Sequence, residues 1–392
     1  MSDIVKVAVI GIGNMGSAHA ACIASGKIDG MRLAAVCDNI SEKLDYCKKT
    51  FSDIALYDDW KLLINDSNID AVIIAVPHPL HTEIAMAALA AGKHVLLEKP
   101  VDISVSRARI LNEAAAKSDK VFCIMFNQRT NDLYQKARQI VKSGQLGELK
   151  RSVWIITNWY RPQHYYDSGS WRATWSGEGG GVLLNQAPHN LDLWQWICGM
   201  PSEIIGFCDI AKYHDIEVED DVTIFARYPN GATGTFITST GEFPGTNRLE
   251  ISGDLGKLVL ENGLLKWWKL EQSERDVRFQ ADETFSSIPY EYIEISPCFE
   301  EPAHAGILQN FTNAVLHGEE LLAPGIEGIN ELTISNAAYL SAWNGSKPVA
   351  IPFDCEEFDE KLAKLATNSG IKEQKTCEKF NTAYKKRWQI NW

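Results

Sequence analysis

The chain has 392 residues, 45% of them apolar, enough to bury more than one large core, so its length points to two domains and at most three. A formal charge of -13, spread without a basic block, excludes the electrostatic footprint of a nucleic-acid binder and disfavours a heavily phosphorylated substrate. Nine cysteines, scattered and never in a CxxC or CxC spacing, argue against a disulfide scaffold and against zinc; we expect reduced core residues and no metal.

The amino-terminal stretch lacks a basic segment followed by a long apolar one, and no window is apolar enough to span a bilayer. A cytoplasmic protein with no membrane partner is expected. Residues 4–10 form a β-rich run that stops at Gly11-Ile12-Gly13-Asn14-Met15-Gly16, after which residues 17–23 read as helix. In that order the glycines have separate physical tasks: Gly11 makes the turn, Gly13 lets backbone approach a pyrophosphate, and Gly16 permits close helix packing. The next strand, residues 31–37, ends in Asp38. A carboxylate there accepts hydrogen bonds from ribose hydroxyls and repels a 2′-phosphate, and no basic residue follows before Lys43, so NAD is preferred to NADP. The alternative for these residues is a plain tight turn and a solvated acid.

A further strand over residues 71–76 runs into Pro77-His78-Pro79-Leu80-His81. His78 and His81 either line the cofactor crevice or cap a helix, and two ligands at this spacing are too few for a metal. Residues 92–100 then end an apolar strand in Glu98-Lys99-Pro100. Ligands of an open parallel sheet sit beyond the carboxyl ends of its strands, which would place Glu98 and Lys99 at the cofactor. A lysine beside Val95, Leu96 and Leu97 can have its charge tuned for a polar substrate; the plainer reading is an exposed strand-end lysine. A helix over 104–117 and a strand over 121–125 complete this half, and a boundary is expected near 125, giving units 1–125 and 126–392 with no flexible linker between them. Gln128 lies just beyond it.

A helix over 131–142 and a strand over 149–159 open the second half. Then Trp159, Tyr160, Tyr165, Tyr166, Trp171 and Trp175 crowd together with Asn158, Arg161, His164 and Arg172. Aromatic faces among hydrogen-bonding groups suit a polyhydroxylated ring, while the bland alternative is core aromatics under a long loop. The run Gly179-Gly180-Gly181 leads through Asn185 and Pro188 to His189 and Asp192; Pro188 suits a first helical turn, holding His189 at an exposed helix start. Such a histidine can take a hydroxyl proton, or it can be satisfied by local bonds. From Glu203 to Leu270 strand follows strand, with turns at 229–231 and 253–256, so a large antiparallel sheet is expected. Helices over 300–316 and 329–342 and two terminal helices follow, and Trp388 and Trp392 suggest that the tail docks. A sheet covered by helices on one face needs a cover on the other, and self-association is the expected one.

Together, GIGNMG after the first strand, Asp38 after the second, Glu98-Lys99-Pro100, and the GGG…Asn185…His189…Asp192 run resemble the Gfo/Idh/MocA oxidoreductases, the glucose-fructose oxidoreductase and inositol dehydrogenase group. The resemblance implies an amino-terminal Rossmann domain with a doubly wound parallel sheet, and a carboxy-terminal α+β domain whose large open sheet is used in dimers or tetramers. It also implies NAD(P)-dependent oxidation or reduction of sugars, inositols and related compounds. By position, Lys99 corresponds to the family's catalytic lysine and His189 to its proton carrier. Asn14, Met15, Pro77, His78, His81, Glu98, Lys99 and Gln128 would join Gly11, Gly13, Gly16 and Asp38 around the cofactor, and Asn185, Tyr165, Tyr166, Arg172 and Trp175 would hold the substrate. Where many inositol dehydrogenases have an aspartate, this chain has Asn185, and the Asn-Gln-x-x-His form is similar to the branch of sugar dehydrogenases that oxidise a C3 hydroxyl. The expectation is hydride transfer between NAD and a ring hydroxyl of a sugar or glycoside. Inositol or polyol oxidation is the alternative within the class, and a non-catalytic NAD-binding regulator is the alternative outside it.

Overall fold

Two continuous apolar runs, residues 71–74 and 95–97, lie in the first sheet, where a strand covered by helices on both sides needs no polar face. The computed structural model describes residues 4–370 and 372; Trp388, Trp392 and the second expected terminal helix lie outside the described residues. The sheet contains β1 (Val5–Ile10), β2 (Met31–Cys37), β3 (Ala55–Tyr57), β4 (Ala71–Ile74), β5 (His94–Leu97) and β6 (Phe122–Ile124), in the order β3-β2-β1-β4-β5-β6. Every pairing is parallel. Strand order reverses between β1 and β4, so a crevice opens beyond their carboxyl ends, where Gly11 and Val76-Pro77 leave the sheet.

The second sheet has nine strands: β7 (Leu149–Ile156), β8 (Glu203–Ile210), β9 (Glu219–Arg227), β10 (Thr233–Ser239), β11 (Asn247–Gly253), β12 (Gly256–Glu261), β13 (Leu264–Leu270), β14 (Tyr290–Ile295) and β15 (Val349–Ala350). Their order is β14-β13-β12-β11-β7-β10-β9-β8-β15. The β7–β10 pair is parallel and the others are antiparallel. The fold is therefore mixed α/β: a Rossmann-type parallel sheet followed by a mostly antiparallel one. Inward residues such as Trp154, Ile224 and Phe236 are fully buried under helices that include Gly328–Trp343 and Pro188–Cys198. On the other face Val153, Thr235, Phe225 and Ile205 pair in one row across four strands, and none of them is fully buried.

The expected boundary at 125 falls at the end of β6, yet the halves are tied together there. Ile124 N–H donates to the Ala323 carbonyl at 3.0 Å, and Cys123 bridges to Pro324. Beside this seam, buried Arg129 donates to both carboxylate oxygens of Asp192 at 2.8 and 2.7 Å, to Glu327 at 2.5 Å and to the Leu322 carbonyl at 3.0 Å. A charge with four acceptors is stable in the interior; removing one partner of such a pair typically costs about 3–5 kcal/mol.

Candidate active site

The turn after β1 places Gly11 at φ 91°, in the left-handed region, where a Cβ would meet the Ala75 carbonyl oxygen at 2.4 Å. Gly16, at the first turn of the helix Asn14–Ala24, lies so close to Gly11 that a Cβ would sit 1.8 Å from the Gly11 oxygen. At Gly13, by contrast, a Cβ would meet nothing within 4 Å, so that face is open. Asp38 closes the other side: Oδ2 accepts from Ile12 N–H at 2.7 Å and from Lys43 Nζ at 2.9 Å, and Oδ1 accepts from Ile40 N–H at 3.0 Å. Lys43, the first base after Asp38, is thereby engaged by it. A turn that only glycine fits, open approach at Gly13, a helix amino end and an anchored carboxylate suit a dinucleotide.

One cavity of about 880 Å³ is lined by Gly11, Gly13, Asn14, Met15, Asp38, Pro77 and His78 from the first half. Glu98, Lys99 and Gln128 continue its wall, and Tyr165, Arg172, Asn185 and His189 come from the second half. Lys99 Nζ donates to the main-chain oxygen of Asn185 at 2.5 Å, across the two halves. Burial pulls the Lys99 ammonium below its ordinary value, opposed by the negative charges of Glu98 and Glu178. His189, second residue of the helix Pro188–Cys198, has an Nδ1 without a hydrogen-bond partner. Burial first, and then the Lys99 charge, hold its imidazole well below the ordinary 6.5. A neutral ring beside an ammonium is a base that can accept a proton while the cation holds the oxygen that loses it.

Residues 5–126 match the NAD-binding Rossmann domain of the Gfo/Idh/MocA oxidoreductases, and residues 134–259 match a carboxy-terminal domain of the same family. The chain belongs to the Gfo/Idh/MocA oxidoreductase family. It is 27% identical to the myo-inositol 2-dehydrogenase of Thermotoga maritima over 263 residues, covering 66% of this chain and 75% of that protein. The scyllo-inositol 2-dehydrogenase (NAD(+)) of Bacillus subtilis is 22% identical over 88% of this chain and 96% of its own length. Most other curated relatives are matched over about half of their length. A levoglucosan dehydrogenase, solved with NADH and L-sorbose, has the same fold: TM-score 0.74, 22% identity, 90% of this chain and 100% of that one.

Three expectations need correction within this Gfo/Idh/MocA site. Tyr166 is 4% exposed and its hydroxyl is spent on Thr240 at 2.8 Å, away from the cavity wall. Trp175 is a core ring, edge-on to Tyr339 and Trp343. Aromatic spacing in a loop cannot tell a wall from the packing behind it. His81 lines the cavity as expected, with its ring nitrogens 2.7 and 2.9 Å from the carbonyls of Pro100 and Val76, which braces the two strand ends. His189 is 8% exposed and not at an open helix start; the cavity is its outlet. Asp192, three positions on, belongs to the Arg129 pair instead.

Other residues enter by contacts that spacing hides. Glu178 is buried; one carboxylate oxygen accepts from the side-chain amide of Asn185 and the other from Ala173 N–H at 2.5 Å. Burial raises its pKa, against the pull of Arg172. Asn185 Oδ1 in turn accepts from the Tyr165 hydroxyl at 3.2 Å, and Arg172 donates to that hydroxyl at 2.9 Å. The carboxylate absent at position 185 is thus supplied one hydrogen bond away. His19 meets Glu98 at 2.7 Å, and His304 stands 5.7 Å from the His19 ring on the cavity wall. Burial and the neighbouring His19 lower His304 to about 3. Among the described residues no group of three or more His, Cys, Asp or Glu is arranged to hold a metal ion, and no helix is long and apolar enough to cross a membrane.

Proposed function

We propose that this oxidoreductase interconverts a ring hydroxyl and the matching ketone of a sugar or glycoside, with NAD as the redox partner and C3 as the carbon to test first. The observation that carries the reading is the single cavity that a dinucleotide cradle, Lys99, Asn185 and His189 line together. When bound there, the nicotinamide supplies the hydride chemistry. His189 removes the hydroxyl proton, Lys99 holds and polarises the oxygen, and Asn185, Tyr165 and Arg172 orient the ring. Asp38 supports NAD over NADP, since its carboxylate, fixed by two backbone N–H groups, lines the cavity and would repel a 2′-phosphate. The row Val153–Thr235–Phe225–Ile205 supports a homodimer or homotetramer built on the open sheet face.

Inositol oxidation is the second reading, favoured by the relatives named inositol dehydrogenases. A non-catalytic sensor would have no use for an ammonium and an unpartnered imidazole facing the dinucleotide cradle. The test is absorbance of reduced nicotinamide during incubation with NAD and a panel of sugars, glycosides and inositols. Turnover confined to inositols selects the second reading. Silence across the panel with NAD still bound selects the sensor.

A further inference from the structure

A second cavity, of about 1410 Å³, lies against the first, and Asn127 and His304 line both. It has features that the dinucleotide does not account for. Three loops bring aromatic rings to it: Tyr160 after β7, Phe243 between β10 and β11, and Phe299 after β14. They are 44%, 82% and 53% exposed, and the Tyr160 and Phe243 rings lie 5.6 Å apart at 57°. Large apolar rings at this exposure stand in water without compensation unless something flat and partly apolar covers them. The amide oxygens of Asn127 and Asn158, two lining residues, have no hydrogen-bond partner, although both atoms are buried. Each such orphan is normally satisfied by a donor, and amide groups meet hydroxyls on either their oxygen or their nitrogen.

Charge narrows the choice of ligand. Asp132, Glu242, Glu300 and Glu301 line this cavity, against Lys27 as its lysine or arginine among the described residues. A phosphorylated or carboxylated group would face that acidic rim, whereas a neutral polyol would not.

We infer that this second cavity is a subsite for the second, neutral ring of a glycoside whose first ring is oxidised at Lys99 and His189. Aromatic faces of Tyr160, Phe243 and Phe299 take the C–H faces of that ring, Asn127 takes a hydroxyl at the junction, and Asn158 takes one within the second cavity. The inference rests on the ring-hydroxyl reading above and deepens it: the substrate class is a disaccharide or larger neutral glycoside, and not a free inositol or a nucleotide sugar.

The test uses NAD-loaded full-length protein with cellobiose, lactose and mannobiose, each beside its methyl monoglycoside, and with UDP-glucose. Binding is read by titration calorimetry and turnover by absorbance. The wild type is expected to bind at least one disaccharide about tenfold more tightly than its methyl glycoside. Phe243→Ala and Phe299→Ala are each expected to cut that preference about three- to tenfold, the size of one aromatic contact. Both positions are exposed, so the fold is not at stake. Disaccharide binding that responds to these substitutions without nicotinamide reduction upholds the subsite and refutes the redox reading. Equal binding of one and two rings, no disaccharide binding at all, or tighter binding of UDP-glucose overturns the subsite. So does a Phe243→Ala protein that changes its oligomeric state while binding sugars as before, which would assign the patch to a subunit contact.

Discussion

The two walls of the catalytic cavity are made in different ways. On the cofactor side, one short turn does most of the work: Gly11, Gly13, Asn14 and Met15 are neighbours in sequence, and Asp38 is fixed to the Ile12 N–H that lies inside that same turn. On the facing side, Lys99, Tyr165, Asn185, His189 and His304 come from several segments, and hydrogen bonds join Lys99 to Asn185 and Tyr165 to Asn185 across 86 and 20 positions of sequence. A backbone-built wall tolerates few residue types at few positions. A side-chain-built wall can be rearranged one contact at a time.

That contrast can be broken most sharply at its meeting point. Lys99→Ala and His189→Ala are each expected to lower kcat by about a hundred- to ten-thousand-fold, while NAD binding, followed by quenching of intrinsic tryptophan fluorescence, stays near wild type. Wild-type-like turnover in either would remove that residue from the chemistry. Gly11→Ala should do the reverse. Strain of about 1–3 kcal/mol from the left-handed backbone, added to the contact with the Ala75 oxygen, lowers Tm and weakens NAD binding together. An unshifted melting curve would show that the turn is not the rigid part.

Acidity sharpens the comparison further. Because the His189 imidazole is neutral down to well below pH 6.5, the oxidation kcat/KM should hold to that pH and fall only as the ring becomes protonated. Its alkaline limb should appear below 10.5, as the depressed Lys99 ammonium loses its proton. Glu178 raises the Lys99 value, so Glu178→Gln removes that support and moves the alkaline limb to lower pH, with kcat reduced about tenfold. A limb that stays in place would reduce Glu178 to a packing role. The smallest effect is expected for Asp38→Ala: a several-fold fall in the NAD-to-NADP ratio of kcat/KM, measured with the same substrate. An unchanged ratio would place cofactor choice elsewhere.

What the amino-acid sequence discloses follows the same division. The glycine turn, Asp38 and Glu98-Lys99-Pro100 are legible because each is contiguous and each sits where a strand ends. The antiparallel strands from β8 to β13 are legible through their alternation and turns. The helix Ser41–Thr50 is not, since it buries Cys47 alone and so carries little hydrophobic period. Strand β14 follows a polar arm at the edge of its sheet and exposes Tyr290 and Tyr292, so it lacks a clear buried face. Tyr166 and Trp175 look like Tyr165 in sequence, and only packing separates a ring on the wall from rings behind it. Glu178 carries no signal of its own: its importance lies in reaching Asn185, and an isolated acid at the start of a glycine run is indistinguishable from a solvated one.

Lys99 is aimed by a main-chain oxygen of residue 185, and not by that residue's side chain. Any amino acid at 185 leaves the acceptor in place. An aspartate there would press a second carboxyl against Glu178, and the two would have to share a proton. On the proposed reading, substrate choice can therefore drift through position 185 without first disarming the ammonium, which makes it the first position to randomise.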